Sequence, residues 1–517
     1  MRLTDKDRRY KTCGLFSAGY TLHISFLNQP KECSILNRKK APAASLKQSF
    51  KARHMTMIAL GGSIGTGLFL ASGTAIASAG AGGALIAYAA VGLMVYFLMT
   101  SLGELATYLP DSGSFSTYAS RFISPAFGFA VGWNFWYNWA VTIAAELAAA
   151  TVIIKFWFPD SPSFLWSLLF LAIMFGLNFL SAKGYGESEY WFAIIKVATV
   201  IIFLVIGVMM IFGILGGEAV GFSNFNLGDG PVHGGFFALV GVFMAAGFSF
   251  QGTELIGVAA GESENPREHV PKAIRQVFWR ILIFYIFAIF VIGMLIPYTH
   301  PSLLQSGVDN IGVSPFTLVF EKAGLAFAAS VMNAVILSSV LSAGNSGMYA
   351  STRVLYAMAK QGMAPKWLSG LNSRGVPVAA LIVTSAVGML AFLASFFGDG
   401  VVYVWLLNAS GMCGFINWLA IAVSHYRFRK AYVAQGKDLK DLPFRARWFP
   451  FGPLFAFLLC LVAIIGQGNF SGEIDWLTII ATYISIPLFL SIWFGYRLVK
   501  KSRIVPLNEC DLSTNSK

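Results

Sequence analysis

Two glycine-rich clusters carry the chemistry most directly. Gly61-Gly62-Ser63-Ile64-Gly65-Thr66-Gly67 interrupts the first long apolar run of the chain, and Gly247-Phe248-Ser249-Phe250-Gln251-Gly252-Thr253-Glu254 interrupts the sixth. In hydrocarbon an unpaired N–H or C=O costs several kcal/mol, so irregular backbone persists only where it lines a cavity or site. Glycines also serve close helix packing. Two breaks at matching places of two five-helix units, however, mark the substrate site of an inverted-repeat transporter. A helix restarting after Gly65-Thr66-Gly67 offers free N–H groups to a carboxylate, and the carbonyls ending the preceding half-helix suit an ammonium. Together they describe a site for a zwitterion.

Several side chains can complete that site. Ser63 and Thr66 either add hydroxyl donors or satisfy their own helix. Gln251 and Glu254 lie in the second break, where an ionised carboxylate is expensive unless paired. Glu254 therefore either holds a proton or a cationic substrate group, or is hydrogen-bonded to the unwound backbone. Glu146, deep in the third span, is the other acidic candidate, although no break adjoins it in sequence. Lys196 lies about two turns into the fifth span. It either takes up and releases a proton, since burial favours the neutral amine, or snorkels to the interface. Asn134, Tyr137 and Asn138 share one helical face and can line a pocket, while the surrounding Trp and Tyr residues also suit an interfacial belt. Phe248 and Phe250 are placed to form a hydrophobic lid or to pack. Asn333 and Ser338 of the eighth span complete the candidate side-chain pocket.

These residues need a membrane bundle to hold them. Of the 517 residues, 56% are hydrophobic and 12% charged, and the mean hydropathy is +0.67, outside the range of a soluble domain. Apolar stretches near helix-spanning length fall at roughly 55–79, 83–108, 126–157, 163–182, 189–214, 235–260, 277–297, 315–350, 377–396, 400–424, 450–468 and 474–498. The expected fold is thus an all-α membrane protein of twelve transmembrane helices. The net charge of +13 follows the loops rather than one soluble face, which argues against nucleic acid. Lys47, Lys51 and Arg53 precede the first span, Arg267 to Arg280 follow the sixth, and Arg497, Lys500 and Lys501 close the twelfth. The alternate loops lack Lys and Arg, so both termini are expected in the cytoplasm of a cell whose inner membrane holds the protein.

Residues 1–43 read as a disordered cytoplasmic tail or an upstream translation start, 44–500 as the transport domain, and 501–517 as a cytoplasmic tail. Cys13, Cys33, Cys413, Cys460 and Cys510 show no metal-ligand spacing and imply no disulfide framework. The loop from Gly261 to Lys272 mixes charges and reads either as solvated or as salt-bridged gating contacts. There is no nucleophile motif, nucleotide loop or metal constellation, so an enzyme is not expected.

The chain resembles the amino acid permeases of the amino acid–polyamine–organocation superfamily. The resemblance rests on Arg53-His54-Met55-Thr56-Met57-Ile58 leading into the first cluster, Ser101-Leu102-Gly103-Glu104-Leu105-Ala106, Glu262-Ser263-Glu264-Asn265-Pro266, and Leu341-Ser342-Ala343-Gly344-Asn345-Ser346-Gly347-Met348-Tyr349 with Arg353. Within that family Trp133 to Ile143 and Phe248 to Gly257 are most similar to the lysine-specific branch of bacteria. The resemblance implies an inverted five-helix repeat with helices one and six broken. It implies secondary uptake of L-lysine with protons as the coupling ion. No cofactor is expected; membrane lipid is an expected partner, and a regulatory membrane protein a candidate one. Family relatives carry a lysine where sodium-coupled cousins hold sodium, and Lys196 falls on that position. A permease for arginine, an aromatic or a neutral amino acid, or a sensor without flux, shares the same backbone motifs.

Overall fold

The computed structural model describes residues 46–62, 64–217, 219–229, 231–304, 314–324, 326–466, 480 and 482–514. The expected tail 1–43 and Ser63 lie outside them. Among the described residues the chain is helical. Helix α1 (Ala52–Gly61) ends at the first glycine cluster, and α2 (Gly67–Tyr108) resumes beyond it. After the break the rest of the segment expected at 55–79 and the one expected at 83–108 follow as two helical stretches that meet at a kink at Gly80, whose φ of 74° a side chain would strain. That bend is pinned by loop backbone, with His233 N donating to Ala79 O and Gly83 N to Pro231 O, each at 2.9 Å.

There follow α3 (Ser114–Phe122), α4 (Pro125–Ile154), α5 (Ser163–Leu180), α6 (Ala182–Ile211), α7 (Gly235–Phe250) and α8 (Leu255–Ala259). The chain continues with α9 (Pro266–Leu295), α10 (Pro315–Lys322), α11 (Ala326–Lys360), α12 (Val378–Phe397), α13 (Asp399–Ala434), α14 (Phe451–Ile465) and α15 (Ser485–Lys500). Eight helical stretches among the described residues are long and apolar enough to cross a membrane. The starts follow ordinary capping chemistry. Ser124 precedes Pro125 and accepts from Phe127 N at 3.1 Å, and Ser314 precedes Pro315 and accepts from Phe316 N at 3.2 Å.

Helix α4 is the axis of the bundle. Its most apolar window is 89% buried, against 33% for those of α5 and α6, so α4 is surrounded by protein while α5 and α6 turn a face outward. Small residues make the centre possible. Gly128 abuts Ser116 and Ser120 of α3, and a methyl at Gly347 of α11 would lie 3.1 Å from Trp139 Cζ3 of α4. Outward side chains on α5 and α6 include Leu165, Ile173, Trp191 and Ile202, the surface expected against lipid.

The end of the bundle that carries residues 46–50 and the C-terminal segment is tied by buried charge. Glu104 of α2 accepts from Arg429 Nε at 2.8 Å and from Ala446 N at 2.7 Å, with a further bond from Arg429 Nη2, and His425 Nε2 lies 3.2 Å from its Oε1. Residues beyond α15 strap the same end. Val505 N donates to Ile123 O at 2.9 Å, Tyr108 Oη to Leu512 O at 2.9 Å, and Arg121 pairs with Asp511 at 3.2 Å. The Gln435 amide donates to Cys510 O at 2.8 Å.

Removing one partner of a buried ion pair strands the other. Glu104→Ala is therefore expected to lower stability by about 3–5 kcal/mol, read as a lower melting temperature in detergent. Adding Arg429→Met to that variant should recover most of the loss.

Candidate functional site

The two breaks lie against each other. A methyl at Gly62 would stand 3.6 Å from Gly252 O, and one at Gly67 would overlap the Ser249 backbone of α7. In the second break Gln251 is extended (ψ 145°) and Gly252 has a φ of 96°, a conformation glycine adopts without strain. In the first, Gly62 N and Ile64 N turn back onto Ile58 O and Gly61 O at 3.0 and 3.1 Å. Beyond it the leading N–H groups of α2 have no acceptor within their own helix.

The carbonyl end of α1 is held by the protein's own cations. Lys196 Nζ, fully buried, donates to Gly61 O at 2.8 Å. Arg280, 1% exposed, donates through Nη1 to Ala59 O and through Nη2 to Thr253 Oγ1 at 2.8 Å. Lys196 thus does not snorkel. Arg280, which sequence position assigns to loop charge, instead staples the first break to the second. The signal was present in its placement at the head of the apolar run Ile281-Leu282-Ile283-Phe284.

Carboxyl groups surround these contacts. Glu146 of α4 faces the first break despite its distance in sequence. Thr66 Oγ1 donates to its Oε1 at 3.0 Å, and Gly65 presses close enough that a methyl would lie 3.3 Å from that oxygen. Its Oε2 is buried without a hydrogen-bond partner, as are Asn138 Oδ1 and the Tyr403 hydroxyl. Glu254 is engaged differently. Its Oε2 accepts from Gly252 N at 3.2 Å and Trp418 Nε1 at 3.3 Å, so it fastens the unwound backbone to α13. Glu189 of α6, which sequence reasoning passed over, is fully buried with Lys196 Nζ 3.9 Å from its Oε1.

The remaining candidates divide. Asn138 donates to Gln251 Oε1 at 3.5 Å, and Gln251 donates to Gly411 O at 3.1 Å, which joins α4 and α13 to the second break. Asn134, on the same face of α4, is bonded to Cys413 O and Asn417 Oδ1, both at 2.9 Å. Tyr137 is half-buried and Phe248 buried. Phe250 stacks on Tyr285 with centroids 4.2 Å apart and so packs toward α9. Asn333 accepts from Thr317 Oγ1 at 3.1 Å, and Ser338 donates to Val335 O of its own helix at 2.8 Å. Those bonds join neither residue to the breaks. Glu262, in the mixed-charge loop, is buried and accepts from Tyr349 Oη at 2.7 Å and Arg353 Nε at 3.0 Å. Its backbone oxygen receives Ser49 N and Phe50 N at 2.8 and 3.0 Å, so this part of the loop is a closed contact rather than solvated. Among the described residues no group of three or more His, Cys, Asp or Glu side chains is arranged to hold a metal.

A centre of this kind, polar backbone and carboxyl groups inside an apolar bundle, serves a small charged solute. The amino acid permease family profile matches residues 54–508. The chain belongs to the amino acid permease family. It is 59% identical over 483 residues to the lysine-specific permease of Escherichia coli, covering 93% of this chain and 99% of that protein. It is 52% identical to the lysine-specific permease of Lactococcus lactis, over 90% of this chain and 93% of the relative. It is 50% identical to the histidine permease of the same organism, over 90% and 98%. The permease is a multi-pass membrane protein that carries an amino acid, not an enzyme.

The contact between the breaks can be tested by bulk alone. Gly67→Ala of the permease should weaken amino acid binding about tenfold through overpacking against Ser249. Gly241→Ala, whose added methyl meets open space, should leave binding unchanged in the same assay.

Proposed function

We propose that the chain imports L-lysine by alternating access across the inner membrane, with protons as the coupling ion and no cofactor. The observation that carries this reading is the buried, unpartnered Oε2 of Glu146 beside the first break. A buried carboxyl group is costly unless paired, and an ammonium on a flexible stem satisfies it. In this reading the substrate carboxylate meets the N–H groups at Gly65, Thr66 and Gly67, and Ser63, outside the described residues, is a further candidate donor by its sequence position. The substrate's α-ammonium uses the carbonyl ends of the broken helices. Asn138, Tyr137 and Gln251 line the path of the stem, with Phe248 at its side. Glu254 fixes the shape of the second break, and the names of two relatives at 59% and 52% identity support lysine.

The described helices would belong to twelve spans, ten of them in two inverted five-helix repeats, within residues 44–500. The Lys- and Arg-free alternate loops support an orientation in which 1–43 and 501–517 face the cytoplasm. The closed contact of Glu262 with Tyr349 and Arg353 would then seal the cytoplasmic side. Lys196, bonded to the end of α1, is the coupling group. Protonated, it grips Gly61 O, and as a neutral amine it holds that carbonyl less strongly. A second reading, another cationic amino acid, draws on the 50% identity to a relative named for histidine, beside 59% and 52% to relatives named for lysine.

Radiolabelled lysine uptake into proteoliposomes under an inward proton gradient tests the reading. Unlabelled lysine should block uptake, with arginine, histidine, phenylalanine and alanine as competitors. Stronger block by histidine or arginine would move the substrate to the second reading, and uptake indifferent to the gradient would remove proton coupling. Lys196→Ala should abolish accumulation against a gradient, and wild-type pH dependence in that variant would reject the coupling role.

A further inference from the structure

Glu189 and Lys196 stand seven residues apart on α6, two helical turns, and so share one face. That face meets the end of α1. A methyl at Gly61 would lie 2.9 Å from Ala193 Cα, between the two charged residues in sequence, and 3.6 Å from Glu189 Oε1. Lys196 Nζ is 3.9 Å from the same oxygen while it holds Gly61 O. Both side chains are fully buried.

The second set of contacts decides the role. Ser342 Oγ of α11 lies 2.8 Å from Glu189 Oε1 and 2.7 Å from Oε2. A hydroxyl carries one proton and two acceptor lone pairs. Against an ionised carboxylate that single proton must serve both oxygens. Against a carboxylic acid both contacts are complementary, because the acid donates from one oxygen and accepts at the other. The pocket therefore suits either form of Glu189. The ionised form is supported by the Lys196 ammonium, and the protonated form by the Ser342 hydroxyl, with Ser346 adjoining.

Onward contacts lead toward the end of the bundle that carries residues 46–50. Ser346 adjoins Glu189 and accepts from Tyr185 Oη at 2.9 Å. The Tyr185 ring stacks on Tyr349, centroids 4.1 Å apart, and Tyr349 Oη donates to Glu262. The charged and titratable groups facing this pocket are Lys196 and Tyr185 of α6, Glu146 of α4 across Lys196, and His54 of α1 beside Gly186. Arg353 and Glu262 lie beyond Tyr185.

We propose that Glu189 is the proton acceptor for Lys196 in the transport cycle. The step moves one proton: the Lys196 ammonium becomes an amine as the Glu189 carboxylate becomes a carboxylic acid, with no other bond made or broken. The separation of 3.9 Å closes by a rotamer change of either side chain. The consequence lies at Gly61. A charge-assisted bond to its carbonyl becomes an ordinary one, and the grip on α1 slackens as the proton leaves toward Ser342, Ser346 and Tyr185. Glu189 is in this sense a positioning residue, acting on α1 through Lys196. The inference rests on the proton-coupled reading above.

The test compares wild type, Glu189→Gln and Ser342→Ala in full-length protein in proteoliposomes with the membrane potential clamped. It reads radiolabelled lysine counterflow, which needs no net proton movement, and accumulation under an imposed gradient. One pH unit supports about tenfold accumulation per coupled proton. Glu189→Gln should keep counterflow but lose the gradient-driven accumulation, and Glu189→Asp should restore part of it. Ser342→Ala should retain transport with a displaced pH midpoint of counterflow. Accumulation by Glu189→Gln equal to that of wild type overturns the assignment. If Glu189→Gln fails to bind lysine, the Ser342→Ala profile decides, and an unmoved midpoint overturns it. Wild-type accumulation that ignores the gradient overturns the proton-coupled reading itself, and Glu189 falls with it.

Discussion

The constraint on which this structure depends is that the broken backbone must find partners without water. Interrupting α1 at Gly61 leaves its last carbonyls without helical donors. The chain answers with two cations from distant helices, Lys196 of α6 on Gly61 O and Arg280 of α9 on Ala59 O. Each of these creates a further need, because a buried cation requires anionic or dipolar company. Glu189 and Glu146 supply it around Lys196, and Thr253 of the second break meets Arg280. The breaks, cations and carboxylates are therefore one construction. None could be replaced by an apolar residue without leaving another polar group stranded.

This accounts for an uneven distribution of charge. Charged residues make up 12% of the chain, yet Glu104, Glu146, Glu189, Lys196, Glu254, Glu262, Arg280 and Arg353 are all nearly or fully buried. Each is bonded to backbone or to a side chain from another helix. They fall into a central group at the breaks and groups nearer the end that carries residues 46–50. There Glu262 fastens the segment before α1 to α11, and Glu104 fastens α2 to α13. Apolar packing against lipid-like surroundings gives helices little preference for one partner over another, whereas such bonds select partners.

Much of this was legible in the sequence. The glycine clusters announced both breaks because helix periodicity and glycine content conflict there, and the structure brings the two breaks together as inferred. Lys196 stood out as an ammonium in an apolar span, and Thr66 as a hydroxyl beside the first break; in the structure Lys196 bonds Gly61 O and Thr66 bonds Glu146. What sequence could not supply was which carboxylate faces which break. Glu146 looked remote because sequence distance hides a contact between α4 and the first break, while Glu254, adjacent to the second, is bonded to backbone and Trp418. Glu189 was overlooked because it precedes an aromatic run near a helix start, where a carboxylate ordinarily faces water. Arg280 was read as loop charge for the same reason. The polar tips of Asn134 and Asn138 looked equivalent by periodicity, but only Asn138 reaches the second break.

The C-terminal strap bears on how the chain is made. Tyr108 and Leu512 are 404 residues apart in sequence, and Arg121 and Ser513 are 392 apart. The surface formed by α3 and the end of α2 is thus made early in synthesis and covered only once residues 505–513 have been made. Helices can be inserted and packed one after another, but this seam joins segments about 400 residues apart and closes only after the helices between them have been made. Until residues 505–513 are in place, Ile123 O, Tyr108 Oη and Arg121 lack the partners that the strap gives them.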